Sequence, residues 1–548
     1  MSLQFITGNS GNGKTKYLFN RIVKEAKANP RDNYLVIVPE QFTMQTQRQL
    51  VDLSENKAIM NIDVLSFKRL AYRVFDELGI TNLTVLEETG KNLVLRKLAA
   101  QEADKLGVIG RNLNRIGYIS EVKSLLSELV QYNISPEELG RYIASGMLSD
   151  TLSDKLKDVL VLYEAFEKFM QDKYITAEEI LNVLSNVAEE SAILRNSVIA
   201  FDEFTGFTPI QNQLIKKLFV ISKKIYVTLT IDCREDIFKS RGMQELFDMP
   251  KRTVKSLTEM AAFYGIEVEE PIILDKNYRL AENEELSFME QQLFRKRRCS
   301  FKKAPKHIHI DCLRDPKQEL TKIARRINEL VRNENLRYRD IAIVTGDVNI
   351  YAGYVREIFD KYNIPYFIDA TQEILFHPFI EFIRSIPDIA AQNFSADAVF
   401  RFLRCGFSEL LDSEIDVLEN YVLACGVRGK SAWDKKWVRL PKHKAGYDIE
   451  LLNQSREYIM ELLKPVYQVF SDKKSTVKDY VLAIYKLIVL LDIPDKLAKK
   501  EQALLDAGDQ TASKEYGQIY KIVMQLFEKY VAVLGDECMD AEEFTQIL

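Results

Sequence analysis

Residues 8–15 read GNSGNGKT, a complete GxxxxGK(S/T) phosphate loop. It directly follows the apolar run Leu3, Gln4, Phe5, Ile6 and opens a helical pattern through Tyr17, Leu18 and Ile22. A strand, a glycine-rich turn and a helix in that order commit this part of the chain to an α/β layer with a nucleoside triphosphate site at the strand's carboxyl end. Gly8, Gly11 and Gly13 let the backbone wrap a phosphate with its N–H groups aimed inward, and Asn9, Ser10 and Asn12 complete the ring of loop amides. The helix that follows adds the positive end of its dipole. Lys14 is placed to reach the β and γ phosphates, and the Thr15 hydroxyl to hold Mg²⁺. The competing reading is a glycine-rich turn beside a surface lysine.

The 548 residues are 47% apolar and 10% aromatic, enough for several cores, and the length fits roughly three or four domains. A net charge of −5 excludes a globally basic nucleic-acid coat but leaves room for a local basic channel. Six cysteines, Cys233, Cys299, Cys312, Cys405, Cys425 and Cys538, lie far apart without a CxxC, and only four histidines accompany them. That spacing supports neither a zinc site nor a disulfide framework and fits a reducing cytoplasm. The amino terminus enters a strand at once, and no apolar run approaches the ~20 residues of a membrane span. The expectation is a cytoplasmic protein without a membrane partner.

Short apolar runs at 34–38, 62–65, 198–201 and 225–231 alternate with helical patterns, which implies a parallel sheet with covered faces. The stretch 87–191 is helical in period. Tyr163, Phe166, Phe169 and Met170 share a face, Ser135 with Pro136 marks a helix start, and Thr176 with Glu179 forms a capping box. A helical module therefore interrupts an α/β domain. A second α/β signal follows the basic run RKRRCSFKK at 295–303. Residues 307–312, 341–344 and 364–368 read as strands, with helices over 318–332 and 351–362. From about Ile389 the pattern is helical, and it ends at AEEFTQIL without a stop signal, as expected of a piece of something longer.

The run SVIAFDEF at 197–204 is a hydrophobic strand ending in Asp202 and Glu203. Beside a phosphate loop this is what a Walker B element requires, with Asp202 holding Mg²⁺ and Glu203 orienting the attacking water. Two surface carboxylates after a core strand are the bland alternative. In LDKNYRLAENEEL at 274–286, Arg279 can either reach a γ-phosphate or pair with a neighbouring glutamate. Arg295 to Arg298 with Lys302 and Lys303 reads as phosphate contacts or as a solvated linker face. Gln41, Thr43 and Gln45 of VPEQFTMQTQRQL at 38–50 offer amides and a hydroxyl suited to base edges or phosphates. Phe67, Arg69 and Tyr72 of VLSFKRLAYRVF at 64–75 offer rings and charge. On chemistry alone, helix capping and core aromatics explain both segments as well.

Taken together, PEQFT at 39–43, LSFKRLAYRV at 65–74, FDEFTGFTP at 201–209 and YRDIAIVTGD at 338–347 make the chain resemble the AddB family, along essentially its whole length. NIPYFID at 363–369 and HPF at 377–379 add to the likeness. These are the second subunits of bacterial AddAB helicase-nucleases. The resemblance implies an α/β fold of P-loop, RecA-like parallel-sheet domains, superfamily 1 helicase-like, with helical insertions. A first RecA-like domain 1A would comprise 1–86 and 192–297, and a helical insert 1B would fill 87–191. The first part of domain 2A would occupy 298–389, and an incomplete helical insert 2B 390–548. The family's carboxyl-terminal nuclease, with its iron–sulfur cluster, would lie outside this chain, and the six cysteines match none of the cluster ligands. ATP and Mg²⁺ are the implied cofactors, and the implied partners are an AddA-like protein in a heterodimer and single- and double-stranded DNA.

By the same resemblance the N-terminal helicase-like part would scan a single strand for Chi, rather than act as the motor, while DNA ends are processed for recombination. Gln41, Thr43, Gln45, Phe67, Arg69 and Tyr72, with Phe207, are carried over as its DNA contacts. Two departures stand out. Active superfamily 1 motors show DExxQ, whereas Thr205 and Gly206 follow Phe204 here, and 232–236 read DCRED without the motif that couples ATP to DNA. Nucleotide binding is thus expected without translocation, and negligible ATPase from this piece alone. An autonomous DNA translocase and a P-loop NTPase unrelated to DNA are the alternative readings.

Overall fold

The structure, a computed structural model, describes residues 1–548 apart from 81–84, 109, 111–115, 147, 172–173, 296–298, 370–373 and 442–446. Lys296 to Arg298 of the basic run therefore lie outside the described residues. The described chain divides into two compact units, one of residues 1–287 with 459–548, the other of 288–458.

A parallel seven-stranded sheet organises the first unit. β1 (Ser2–Gly8) leads through the glycine-rich loop 9–13 into α1 (Lys14–Ala28), then β2 (Tyr34–Ile37), α2 (Thr43–Leu53), β3 (Ile62–Leu65) and α3 (Phe67–Leu78). An excursion follows: β4 (Val85–Leu86), α4 (Glu88–Gln101), α5 (Ile116–Gln131), α6 (Pro136–Ala144), α7 (Asp150–Met170), β5 (Ile175–Thr176) and α8 (Ile180–Val187). β4 and β5 pair only with each other. The chain returns as β6 (Val198–Phe201), α9 (Pro209–Ile221), β7 (Lys224–Thr230), α10 (Asp248–Phe263), β8 (Glu267–Val268) and β9 (Ile272–Leu274). The order is β3-β2-β6-β7-β1-β8, with β9 also on β1.

Side chains alternate across each strand, so two cores form. Leu3 and Phe5, Leu35 and Ile37, Ile199 and Phe201, and Ile225, Val227 and Leu229 face α3, α8, α9 and α10. Ile6, Tyr34, Val36, Val198, Ala200 and Tyr226 face α1 and α2. With both faces covered, every strand end that carries chemistry projects from one edge, the carboxyl edge of the sheet.

The expected helix signals within the excursion are present. Ser135 caps α6 by accepting from the Glu138 N–H, and Thr176 and Glu179 exchange both capping-box bonds, at 2.7 and 3.1 Å. α4 buries Gly90, Lys91, Leu93, Val94, Leu95, Leu98 and Ala99, which at about 100° per residue spread over most of its circumference, so it is packed by several neighbours. α5 and α7 supply some of them, and so does a helix from the chain's far end. Lys91, 3% exposed, is charge-matched there by Glu88 and Glu178 at 3.0 and 2.6 Å.

α11 (Glu284–Gln292) begins in the first unit and continues into the second. α12 (Pro316–Asn333) and α13 (Val348–Lys361) pack through Leu320, Ala324, Ile327, Ile358 and Phe359, and α14 (Pro378–Ala391), α15 (Ala396–Leu403), α16 (Asp412–Cys425) and α17 (Lys430–Trp433) follow. The strands read at 307–312, 341–344 and 364–368 are not formed. These residues are unladdered among the described residues, and Ile310, Val344 and Phe367 are exposed. A parallel strand exists only through its neighbours' hydrogen bonds, and apolar periodicity cannot supply a partner. α18 (Ile449–Ser471) runs across the division at 459, and α19 (Val477–Leu490), α20 (Ile493–Asp506), α21 (Gln510–Leu534) and α22 (Ala541–Ile547) belong with the first unit. There α21 packs on α4, with Lys97 paired to Glu537 at 2.9 Å and Lys529 to Glu87.

Candidate nucleotide site and the adjoining surface

Leaving β1, the chain must reverse into α1 within five residues. Gly11 and Gly13 make this possible with φ of +90° and +79°, angles that strain any side chain. The loop is held in shape by its own asparagines. Asn9 accepts from the Cys233 N–H at 2.9 Å, and Asn12 donates to the Leu274 carbonyl at 2.6 Å. The Lys14 ammonium donates to the Gly8 and Asn9 carbonyls, both at 3.1 Å. Burial pushes its pKa below the ordinary lysine value, while the charges of Glu203 and Asp202 oppose that shift.

β6 delivers Asp202 and Glu203 to the same edge. Asp202 is 1% exposed. One of its oxygens accepts from the Thr228 hydroxyl, and the other is buried without a hydrogen-bond partner among the described residues. Burial drives its pKa upward, with the Glu203 charge adding to the shift and the Thr228 and Thr15 hydroxyls opposing it. An orphaned carboxylate oxygen beside a threonine hydroxyl is a donor set that suits a hard divalent cation. Glu203 adopts φ +63° and accepts from Thr15 Oγ1 at 3.3 Å. A non-glycine residue in that region is uncommon and clusters at functional sites.

Lys14, Thr15, Asp202, Glu203 and Arg279 line one cavity of about 690 Å³. Arg279 follows β9, in a bend before α11, and its guanidinium makes no ion pair among the described residues, so the pairing with a neighbouring glutamate does not form. Sequence reasoning gave no role to Asn277 and Tyr278, which lie against Gly11 and Gly13, or to Gln49 and Asp52 of α2, which also line the cavity. It also passed over Thr228 and Thr230. Two hydroxyls inside an otherwise apolar strand were the signal that could have found these.

The residues read as DNA contacts divide by burial. Gln41, Gln45, Arg69 and Tyr72 are exposed at the carboxyl ends of β2 and β3. Glu40 ties the two segments together, accepting from Arg69 Nε at 3.1 Å and from the Ser66 hydroxyl that caps α3. Thr43 and Phe67 lie inside instead. Thr43 is 3% exposed and donates to the Glu40 carbonyl at 3.0 Å. Phe67 is 8% exposed and packs with Phe201, Phe204 and Phe207 at centroid distances of 5.8, 5.5 and 6.3 Å. Phe207 is half-buried in the same cluster.

A family model described as "ADDB, N-terminal" matches residues 5–290. The chain is similar to the second subunit of the ATP-dependent helicase/deoxyribonuclease of Lachnoclostridium phytofermentans, 38% identical, and to the proteins of the same description from Caldanaerobacter subterraneus and Clostridium acetobutylicum, 32% and 31% identical. Each alignment covers all of this chain and 48% of the relative. The chain thus spans about half the length of the curated relatives it matches. With a glycine-rich strand-to-helix loop, an acidic strand end and the linked 39–43 and 65–74 segments at one sheet edge, and a family match over more than half its residues, the chain belongs to the AddB family.

Proposed function

We propose that this chain is the nucleotide- and DNA-binding part of a helicase-nuclease subunit that processes double-strand DNA ends for recombinational repair, and that it scans single-stranded DNA for Chi. The observation that carries the reading is one of place. The cavity lined by Lys14, Thr15, Asp202 and Glu203 and the exposed group Gln41, Gln45, Arg69 and Tyr72 share the carboxyl edge of one parallel sheet. Under this reading the first unit contains a RecA-like domain of superfamily 1 type. Its loop amides and Lys14 hold the phosphates of ATP, and Thr15 and Asp202 hold Mg²⁺. The metal supplies charge neutralisation at the terminal phosphates. Glu203 orients water, and the Tyr278 ring offers a face to a base.

Gln41 and Gln45 suit base edges, Arg69 suits phosphate or guanine, and Tyr72 suits stacking. An AddA-like protein as heterodimer partner and a cytoplasmic location belong to the same proposal. No helix among the described residues is long and apolar enough to cross a membrane. Glu203 and Arg279 in one cavity favour a second reading, an autonomous translocase. Against it, Gly206 stands where a motor has its coupling glutamine, and a Cβ there would lie 3.3 Å from Thr253 Oγ1.

The test is capture of a randomised single-stranded octamer pool by the full complex, sequenced before and after. The wild type is expected to enrich one sequence, and the Gln41→Ala, Arg69→Ala pair to lose the enrichment while retaining bulk binding. A uniform loss of all sequences would make these residues a phosphate track, and absence of any enrichment by the wild type would end the scanning proposal.

A further inference from the structure

The end of β9 and the stretch after it are fastened to the phosphate loop at three points. Asn12 donates to the Leu274 carbonyl at 2.6 Å, Asn277 Nδ2 donates to the Ser10 carbonyl at 2.9 Å, and the Tyr278 N–H donates to the Gly11 carbonyl at 3.0 Å. The approach is close enough that a Cβ on Gly11 would lie 2.7 Å from Asn277 Oδ1 and 2.9 Å from the Arg279 Cβ. The other end of the Asn277 amide faces forward, its Oδ1 accepting from the Arg279 and Leu280 N–H groups at 3.1 and 3.0 Å. A turn-capping asparagine needs only the second pair of bonds. The Nδ2 bond to Ser10 and the Tyr278 bond to Gly11 do nothing for the turn, and they join the backbone that carries Arg279 to the backbone that wraps the phosphates.

We propose that Asn277 is a positioning residue that makes the phosphate loop and Arg279 one rigid body, so that this chain distinguishes a nucleoside triphosphate from a diphosphate with its own arginine. The inference rests on the nucleotide reading of the same site and adds its selectivity. Arg279 stands in a cavity with two carboxylates, Asp202 and Glu203, yet pairs with neither. A planar fork held apart from available carboxylates is suited to phosphoryl oxygens, and only the triphosphate extends to a third phosphoryl group. Since the fork is carried on the loop, any shift of the loop around the first two phosphates moves it too.

The experiment is calorimetric titration of the full complex with a non-hydrolysable ATP analogue and with ADP, each with Mg²⁺, the partner protein's own phosphate loop having been inactivated. Asn277→Ala is expected to weaken the triphosphate about tenfold, the scale of one charge-assisted hydrogen bond, and ADP less than twofold. Arg279→Ala should match it, and the double variant should be no worse than either single one. Asn277→Ser keeps an acceptor for the turn and loses the donor to Ser10, so it should show the same selective loss with an unchanged melting temperature. Equal weakening of both nucleotides, additive single effects, or wild-type behaviour of Asn277→Ser would overturn the inference. A wild type that binds both nucleotides alike would overturn it while leaving the site reading intact, whereas a wild type that binds neither would overturn the site reading itself.

Discussion

Asp202 sits where water does not reach, with one oxygen satisfied by Thr228 and the other by nothing among the described residues. Its pKa is raised, so the folded state binds a proton more readily than the unfolded chain does. The sign follows from linkage. Stability is greater below the unfolded carboxylate value near 3.8 and is lost as pH climbs through the raised folded value. Above that window the ionised group is a standing cost. Asp202→Asn is therefore expected to stabilise the metal-free protein by roughly 1 kcal/mol at pH 8, with the gain shrinking as pH falls through the raised value. Denaturant melts at several pH values check this, and Mg²⁺-dependent nucleotide binding should be lost together with the gain in stability. A Lys14→Ala variant should lose nucleotide binding without any such gain dependent on Asp202.

Phe67 shows the limit of reading residues singly. Its position beside Arg69 and Tyr72 suggests a stacking platform, yet its ring faces Phe201, Phe204 and Phe207. Sequence spacing places it correctly on α3 but cannot show that residues 134 to 140 positions away close over it, since a cluster of that kind exists only in three dimensions. Phe67→Ala should cost about 3–5 kcal/mol of stability, measured by denaturant melts, whereas a purely surface ring would cost far less than that. The strand, glycine-rich loop and helix over 2–28 and the placing of Asp202 and Glu203 at a strand's end were legible for the opposite reason. Each is a local strand-to-turn signal whose meaning does not depend on distant chain.

Among the elements, β1, β2, β3, β6 and β7 were readable because a buried parallel strand is a short apolar run with turn signals around it. β8 and β9, two and three residues long, carried too little pattern to be read, and with them went the stretch leading to Asn277. The unformed strands of the second unit erred in the other direction, where pattern was present and ladder partners were not. α9 carries a signal that the sequence reading passed over, a Thr208 cap with Pro209 next and Gln211 returning the bond. Thr208→Ala should cost about 1 kcal/mol and loosen the 204–207 turn that leads into the helix, which amide exchange would register.

At the scale of the molecule, the first unit is assembled from the two ends of the chain. α4 is buried over most of its circumference, and α21, more than 400 residues later, covers part of it. No periodicity announces such a partnership, because the buried positions of α4 form no single stripe that would point to one partner. A chain ending at 458 is expected to leave α4 partly uncovered. Its amides should exchange faster by mass spectrometry, and the unit should melt at a lower temperature. Unchanged protection of α4 would show that α5 and α7 suffice.

α2 carries Gln45 toward the exposed group and, one turn later, Gln49 into the wall of the cavity. An α-helix turns about 100° per residue. A single residue inserted or removed between these two positions would swing one of them out of its place while leaving the other where it was. Substitutions along this helix can be tolerated one at a time, but its length cannot drift. The stretch from Gln45 to Gln49 thus sets a fixed interval between an exposed position and the cavity wall.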